Sequence, residues 1–324
     1  MSVTILAIVA FAFVLDLAVG EPPTAVHPVA WFGRLVGTID REWVDGERGQ
    51  RLAGVAIAVL APVLAATIAG VVVVAAGTVH SIAGVLVATL VLYATTSLRM
   101  LLELARTVIE ESEADLETAR ERIRGLVGRD ASELSPAQLR SAAVESAGEN
   151  LADGLVAPLL AFAILAPVSL PAAAAAAAWV KAVNTLDSML GYPSKPVGTA
   201  SARLDDLVMW LPARVAAVAV ALAATDPRSL VRARRDARVP DSPNSGWPMA
   251  TLSVALEVRL EKPGAYVLNE DGELPTLADG QRAVRLVGVA GGLAVGLCGA
   301  LAVGVATVVA AESAVVLATA GVSP

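Results

Sequence analysis

The stretch LAGVAIAVLAPVLAATIAGVVVVAA, residues 52–76, carries no charged side chain. A helix of this length exceeds the roughly 20 apolar residues that cross the hydrocarbon core of a bilayer. A second apolar stretch, 79–98, follows after a short turn around Gly77, Thr78 and His80. The two stretches are therefore predicted to form a hairpin of transmembrane helices.

The composition extends this prediction to the whole chain. Of the 324 residues, 56% are hydrophobic, and further apolar stretches cover residues 3–19 and about 284–320. Residues 3–19 lack a basic segment before them, and Asp16 interrupts their end, so a retained helix is predicted rather than a secretory signal.

The net charge of −7 and the lack of basic runs interleaved with aromatic residues argue against nucleic acid as a partner. The single cysteine, Cys298, excludes a disulfide within the chain.

Arginine distribution predicts the orientation of the hairpin. Four arginines precede it between residues 34 and 51, and seven follow it between residues 99 and 140. By the positive-inside tendency both flanks are expected in the cytoplasm. The predicted fold is an all-α, polytopic integral membrane protein of the cell membrane, with one membrane-embedded domain over 1–324. Its predicted cytoplasmic helical segments are approximately 21–51, 99–150 and 226–282.

Prolines predict broken helices in the second half of the chain. Pro158, Pro167 and Pro171 divide the apolar stretch 155–180 into pieces of about 12 residues, which are too short to span alone. The stretch is either one broken span or a re-entrant pair of half-helices. The re-entrant arrangement, with 207–224 also failing to cross, is preferred because it keeps the polar clusters on one side.

The first polar cluster is ESAGENLADG, residues 145–154. Glu145, Glu149 and Asp153 are spaced four apart, which places three carboxylates in one stripe on a helix. Like charges at this spacing repel, and acidic groups beside a membrane segment are costly unless they have a function. A solvated acidic face is the alternative interpretation.

Two further clusters flank the loop at 193–200. KAVNTLDSMLGY, residues 181–192, places Lys181, Asn184 and Ser188 on one helix face with Asp187 beside it. In SARLDD, residues 201–206, the adjacent Asp205 and Asp206 suit a hard cation such as Mg²⁺, and Arg203 suits a carboxylate or phosphate. Snorkelling of Lys181 and Asp187 to the interface, and a helix N-cap at Asp205, are the alternatives.

Two loops rich in proline and glycine carry the remaining candidates. DLAVGEPPTAVHPVAWFGRL, residues 16–35, contains His27, and DSPNSGWPMA, residues 241–250, contains Asn244. A hydrogen-bonded structural role is the alternative for His27. The chain has neither a GxxxxGK[ST] signature nor zinc-binding Cys/His spacing, so phosphate chemistry would rely on dispersed carboxylates, a metal ion and basic side chains.

Six ordered motifs together resemble the adenosylcobinamide-phosphate synthase family (CobD/CbiB) of cobalamin biosynthesis. They run from Asp16 to Tyr266 and read D-x3-G-E-P-x4-H-P-V, ES-x2-EN-x-ADG-x-VAP-L, KAVNTLDSM-x-GY, SARLDD with W-x-PAR, D-x-PN-x-GWPM and LEKPG-x-Y. The resemblance implies an ATP-dependent ligase. It would join the propionate carboxylate of adenosylcobyric acid to the amine of aminopropanol or its phosphate.

The resemblance also suggests roles for the clustered residues. Glu149, Asp153, Asp205 and Asp206 are expected to handle Mg²⁺ and phosphate, in a site on the cytoplasmic side. Lys181, Asp187 and Arg203 are expected to be catalytic, with Lys181 and Arg203 neutralising phosphate or the substrate carboxylate. His27, Asn184 and Asn244 are expected to bind and orient substrates.

Three other functions remain open. A transporter could also place acidic residues at half-helices, although no internal repeat is visible. A prenyl or CDP-alcohol transferase would use aspartates and magnesium, but its D-x2-D-G-x2-A-R pattern is missing. A non-catalytic membrane scaffold for other enzymes of the pathway is the third.

Overall fold

The computed structural model describes residues 2–127 and 131–319, and the side chains of these residues as far as Glu312. The described residues leave out 1, 128–130 and 320–324 of the predicted domain 1–324. Of these, residues 128–130 also belong to the predicted segment 99–150. The helices are α1 (Ser2–Val19), α2 (Pro28–Ile39), α3 (Glu47–Val79), α4 (Ser81–Thr95), α5 (Arg99–Ala114), α6 (Leu116–Ile123), α7 (Pro136–Leu151), α8 (Ala157–Leu165), α9 (Leu170–Leu190), α10 (Thr199–Val208), α11 (Trp210–Ala223), α12 (Arg228–Arg232), α13 (Gly246–Leu256) and α14 (Leu277–Thr319). A π-helical turn over Ala152–Val156 joins α7 to α8, and short 3₁₀ turns cover Pro196–Gly198 and Asp236–Arg238.

The strands within the described residues form one small hairpin. Strand β1 (Leu260–Lys262) pairs with β2 (Tyr266–Leu268) antiparallel, with Glu261 opposite Val267. Gly264 in the connecting turn has φ +77°, a backbone conformation that favours glycine. The predicted all-α class is confirmed, because this hairpin is a minor addition to a helical chain.

Five stretches of the described chain are long and apolar enough to cross a membrane. They are Ser2–Val19, Glu47–Val79, Ser81–Ala114, Pro136–Leu165 and Leu277–Glu312. Along α3 many apolar side chains stay exposed, among them Leu52 at 72% and Leu60 at 65%. Such a continuous apolar surface is stable in contact with lipid and costly in water. The protein is therefore a polytopic membrane protein, as predicted; the sidedness of its segments stays a prediction.

The chain forms two compact units. The first comprises Met1–Thr96, Pro158–Ala202 and Val295–Pro324; the second comprises Ser97–Ala157 and Arg203–Ala294. In the first unit α3 packs along α9 and α4, while α2 packs on α9. The run of alanines in α9 makes close packing possible, since Ala173, Ala174 and Ala177 are fully buried. In the second unit α7 packs against α5, α13 and β1, and α11 packs against α13.

The prediction for residues 155–180 is partly wrong. The chain does not break at Pro158, because a continuous helical stretch runs from Pro136 to Leu165. It turns at 166–169, around Pro167, and α9 then begins with Pro171 in its first turn and Ser169 as its N-cap. The bent pair lies elsewhere: Pro196–Val208 and Trp210–Ala223 meet at 49°. A broken helix pair is thus confirmed, at a position later in the chain.

Other boundaries differ from the sequence interpretation. The first part of the predicted segment 99–150 is divided into two helices. Asp115 ends α5 and caps α6, accepting a hydrogen bond from the Thr118 amide at 3.2 Å. The predicted loop 241–250 is a loop only as far as Ser245, since α13 begins at Gly246. Helix α7 begins after Ser135, which forms a capping box with Gln138, and Pro136 lies in its first turn.

Candidate functional site

The acidic stripe on α7 divides into one structural carboxylate and two accessible ones. Glu145 is 5% exposed and accepts a hydrogen bond from the Tyr266 hydroxyl at 3.0 Å. From Leu139 to Leu160 every side chain is buried except Glu149, Asn150 and Asp153, which are half-buried. Glu149 and Asp153 are therefore the carboxylates of this stripe that a ligand can reach most directly.

A π-helical turn adjoins these carboxylates. Pro158 has no amide hydrogen to donate to the Gly154 carbonyl, the usual partner four residues earlier. The Ser97 amide donates to that carbonyl instead, at 2.8 Å. A Cβ atom at Gly154 would lie 3.2 Å from the Ser97 carbonyl oxygen, so glycine fits this close approach best. The ADG-x-VAP motif is thus explained in part by backbone packing, and π-turns of this kind often adjoin functional sites.

The structure brings two predicted site residues, Asp206 and Asn244, into contact. The Asn244 side chain donates to the Asp206 backbone carbonyl at 2.6 Å. The Ser242 hydroxyl donates to Asp206 Oδ1 at 3.2 Å. The motifs SARLDD and D-x-PN are therefore joined in space, 38 residues apart in sequence.

Arg214 completes this cluster and was not among the predicted site residues. Its guanidinium donates to the Asn244 side-chain oxygen and to the Pro243 carbonyl, the latter at 3.1 Å. The guanidinium carbon lies 4.9 Å from the Trp210 ring centroid and 5.2 Å from that of Trp247. An arginine this close to two indole rings is stabilised by cation–π attraction. The signal was present in the sequence as an arginine inside the apolar stretch 207–224.

The cluster changes the interpretation of Asn244. Its side chain is 3% exposed, and its amide contacts Asp206 and Arg214 at once. These contacts satisfy a buried amide without any ligand. The substrate-binding role of Asn244 stays a prediction, with a structural role now observed beside it.

The remaining predicted residues of this second unit differ in accessibility. Arg203 is exposed, and within the described chain it has no hydrogen-bond or ion-pair partner. Asp205 is 9% exposed, and Asp206 is half-buried. On α10 the most accessible of these charged side chains is therefore that of Arg203, and the carboxylates of Asp205 and Asp206 are less accessible.

In the first unit, Lys181, Asn184 and Asp187 lie on α9. Lys181 and Asp187 are half-buried, and Asn184 is 8% exposed. The helix continues to Leu190, and Gly191 caps it by donating its amide to the Asp187 carbonyl at 2.7 Å. A Cβ atom at Gly191 would lie 1.9 Å from Asp187 Oδ1, so the turn accommodates the carboxylate only with glycine there.

His27 caps helix α2. Its Nδ1 accepts the Val29 amide at 3.1 Å, and its Nε2 lies 3.6 Å from a Glu21 carboxylate oxygen. Burial lowers the pKa of His27; Glu21 opposes this shift, and Lys181 adds to it. The neutral ring, with its hydrogen on Nε2, is thus the form that fits the cap. The structure accounts for His27 by capping, and its predicted substrate contact stays a prediction.

Two further contacts tie motif residues to helices that lie far from them in the sequence. The Tyr93 hydroxyl donates to the Gly20 carbonyl, which ties α4 to the turn after α1. Asp16, the acidic residue of that motif, is fully buried. In the second unit the Ser141 hydroxyl accepts the Glu261 amide at 2.8 Å, so β1 of the LEKPG motif rests on α7.

The ten predicted site residues are divided between the units. His27, Lys181, Asn184 and Asp187 belong to the first, and Glu149, Asp153, Arg203, Asp205, Asp206 and Asn244 to the second. Within residues 2–127 and 131–319, no group of three or more His, Cys, Asp or Glu side chains is arranged to hold a metal ion. Mg²⁺ commonly uses only one or two carboxylates and completes its shell with water and substrate phosphate. Glu149, Asp153, Asp205 and Asp206 are of the residue type that this mode of binding uses, and their binding of Mg²⁺ stays a prediction.

Comparison with known proteins identifies the family. The family model described as CobD/Cbib protein matches residues 9–296. A cobalamin biosynthesis protein CobD from Klebsiella pneumoniae is 36% identical over 304 residues, covering 87% of this chain and 93% of the relative. A probable cobalamin biosynthesis protein CobD from Methanothrix thermoacetophila is 34% identical, covering 86% and 91%. Cobalamin biosynthesis protein CbiB from Salmonella typhi is 34% identical, covering 84% and 87%.

No solved structure matches the chain. The family match covers most of the chain, and the curated relatives match it over nearly their whole length. All six motifs lie within the matched residues. This chain belongs to the CobD/Cbib family of cobalamin biosynthesis proteins.

Proposed function

We propose that this protein catalyses ATP-dependent amide formation between the propionate carboxylate of adenosylcobyric acid and the amine of aminopropanol or aminopropanol phosphate. The observation that carries the proposal is the family match over residues 9–296, with relatives named for cobalamin biosynthesis. The six motifs that resemble the synthase family are all present in the matched region.

The reaction needs activation because a carboxylate has no adequate leaving group. Transfer of the terminal phosphoryl group of ATP to a propionate oxygen gives an acyl phosphate and ADP. The amine nitrogen then attacks the carbonyl carbon, the C–N bond forms, and the C–O bond to phosphate breaks. One amine proton is lost to a base, and the products are the amide, ADP and phosphate.

The residues of the second unit suit the phosphoryl half of this chemistry. Glu149, Asp153, Asp205 and Asp206 would hold Mg²⁺ together with phosphate oxygens; the ion would supply positive charge against the transferring group. Arg203 is exposed and has no partner within the described chain, so it is available to neutralise a phosphate or the propionate.

The residues of the first unit suit the binding of the acid and the amine. Lys181 would neutralise a carboxylate or phosphate, and Asp187 would accept the amine proton. Asn184 and His27 would orient substrates, as Asn244 would in the second unit. We further propose that this chemistry takes place on the cytoplasmic side, where the arginine-rich segments are predicted.

The test is a reconstituted assay with the full chain in detergent. Adenosylcobyric acid, ATP and Mg²⁺ are combined with aminopropanol or with its phosphate, and the corrinoid product is identified by mass spectrometry. We expect one amide product with one ADP and one phosphate released per turnover. Which amine reacts is read from the product mass.

Asp206→Asn tests the carboxylate roles. We expect turnover to fall on the order of a hundredfold, as when a group that organises transition-state charge is lost, with a changed dependence on Mg²⁺. Glu121→Gln, an exposed carboxylate outside the motifs, is the matched control and should leave turnover unchanged. Unchanged turnover and Mg²⁺ dependence in Asp206→Asn would remove that residue from the scheme.

One observation keeps a second function in view. The bend of 49° between α10 and α11 resembles the discontinuous helices of ion-coupled transporters. Uptake of labelled substrate into sealed vesicles, without ATP-dependent product from either amine, would favour transport and contradict the ligase proposal.

A further inference from the structure

A groove in the second unit runs between α5 and the first turns of α14. Its volume is about 320 Å³, and it is lined by Arg106, Ile109, Glu110, Gln281, Val284 and Arg285. This is the low end of the range for small-ligand pockets, about 300–1,000 Å³. None of these six residues belongs to the predicted catalytic set.

Glycines bring the two helices close together. A Cβ atom at Gly280 would lie 2.7 Å from the Ile109 side chain, and one at Gly288 would lie 3.4 Å from Leu102. Gly288 follows Gly280 along α14, whereas its contact Leu102 precedes Ile109 along α5. The two helices are therefore antiparallel. The two backbones are close together, and the long side chains of Arg106 and Arg285 line the groove between the helices.

The two arginines are free to bind an anion. Within the described chain neither Arg106 nor Arg285 has a hydrogen-bond or ion-pair partner, and both are exposed. Their neighbours on the same helices are paired: Arg99 with Glu103 at 2.7 Å, and Arg282 with Asp279 at 3.4 Å. With Glu110 also at the groove, its lining carries a net charge of +1, from two arginines and one glutamate.

An apolar groove adjoins the charged one at Arg285. It is lined by Ala224, Ala255, Leu256, Arg282, Arg285, Leu286 and Val289, and its volume is about 280 Å³. Val289 is 56% exposed there. A ligand with its phosphate at the arginines could therefore lay hydrocarbon against Leu256, Leu286 and Val289.

The position along the chain selects a lipid over a soluble phosphate. Arg285 is the last charged residue before the 26 uncharged residues 286–311, which lie in a candidate membrane span. It therefore lies where the apolar span begins, at the depth of lipid headgroups. Basic pockets between membrane helices are a known way to hold anionic headgroups.

We propose that this pair of grooves binds one anionic phospholipid, with its headgroup phosphate between Arg106 and Arg285 and an acyl chain in the apolar groove. Two guanidinium groups bind phosphate through paired, charge-assisted hydrogen bonds. The proposal is independent of the proposed ligase function.

Native mass spectrometry of the full chain in detergent tests the proposal. The protein is titrated with phosphatidylglycerol, with phosphatidylcholine, or with inorganic phosphate. We expect phosphatidylglycerol to remain bound at concentrations where phosphatidylcholine does not. The double substitution Arg106→Gln, Arg285→Gln should weaken phosphatidylglycerol binding at least about tenfold, because each basic side chain contributes separately.

Matched variants make the result specific. Arg99→Gln removes an arginine of α5 that is already paired with Glu103 and lines neither groove, so it should change binding little. A thermal melt of each variant shows whether it is folded. Equal binding of the two lipids, equal loss in Arg99→Gln and the double variant, or displacement of phosphatidylglycerol by inorganic phosphate would overturn the proposal. None of these measurements depends on ligase activity.

Discussion

At the scale of single residues, both histidines of the chain cap a helix with the same atom. His27 Nδ1 accepts the Val29 amide at 3.1 Å, and His80 Nδ1 accepts the Ile82 amide at 3.2 Å. Their surroundings differ, since His27 is 7% exposed and His80 lies exposed in the turn between α3 and α4. Because burial lowers the pKa of His27, its protonation is expected to oppose folding.

We expect acidification to destabilise the protein through His27. Burial lowers its pKa in the folded state, so the unfolded chain takes up a proton first as the pH falls below about 6.5. The free energy of unfolding should be highest above that pH, decline as the pH falls towards the folded-state pKa, and level off below it. Protonation of Nδ1 would also remove the acceptor of the Val29 amide.

Asparagine provides the test, because it caps a helix without titrating in this range. In detergent, the thermal midpoint of His27→Asn should depend less on pH between 7.5 and 5.5 than that of the parent protein. His27→Ala should lose about 1 kcal/mol of the free energy of unfolding with the cap. His80→Asn is the control. If it flattened the pH profile as much as His27→Asn, the assignment to His27 would be wrong.

The sequence predicted the types of residue in the clusters better than their partners. The apolar context marked Asp206 and Asn244 as unusual, and the structure joins them. Residue spacing alone does not separate Glu145 from Glu149, because the hydrogen bond that Glu145 accepts comes from Tyr266, 121 residues away. Arg214 was overlooked because an arginine in an apolar stretch does not by itself reveal the two indoles around it.

At the scale of elements, four prolines in the apolar parts of the chain show why breaks were harder to predict than spans. Pro62 lies inside the continuous helix α3, and Pro158 inside the stretch 136–165. Pro167 lies in a turn, and Pro171 in the first turn of α9. The outcome at Pro158 depends on a remote donor, the Ser97 amide, which local sequence does not specify. Length and hydrophobicity, by contrast, sufficed to predict the hairpin α3–α4.

Helix α3 offers a matched pair of glycines for a test of packing. A Cβ atom at Gly54 would lie 2.0 Å from the Val197 carbonyl oxygen, which is backbone and cannot rotate away. A Cβ atom at Gly77, in the same helix, would meet nothing within 4 Å. We expect Gly54→Ala to cost about 3 kcal/mol or more, through forced displacement of the 3₁₀ turn Pro196–Gly198.

Gly77→Ala should be neutral or slightly stabilising, since alanine favours helix over glycine by up to about 1 kcal/mol. The thermal midpoint of each variant is measured in one detergent, by size-exclusion chromatography with fluorescence detection. Equal midpoints for the two variants would contradict the close packing of α3 on the turn at 196–198.

At the scale of the whole molecule, span length and arginine placement together predict orientation. Helix α3 has 33 residues, and at 1.5 Å per residue it is about 50 Å long. This exceeds the hydrocarbon thickness of about 30 Å, so its two ends should lie on opposite sides of the membrane. The arginines at 34, 41, 48 and 51 precede or begin α3, which places that end in the cytoplasm by the positive-inside tendency.

Single cysteines at the two ends of α3 test this orientation. The native Cys298 is the chain's only cysteine and is 1% exposed, so its background labelling should be low. With a membrane-impermeant maleimide on spheroplasts, Thr78→Cys should label before lysis, and Asp45→Cys only after it. Both side chains are exposed in the folded protein, so burial does not protect either site. Labelling of Asp45→Cys alone before lysis would reverse the orientation, and equal labelling of both would show that α3 does not cross. The predicted pattern would place the segment 21–51 in the cytoplasm, where ATP for the proposed ligation is available.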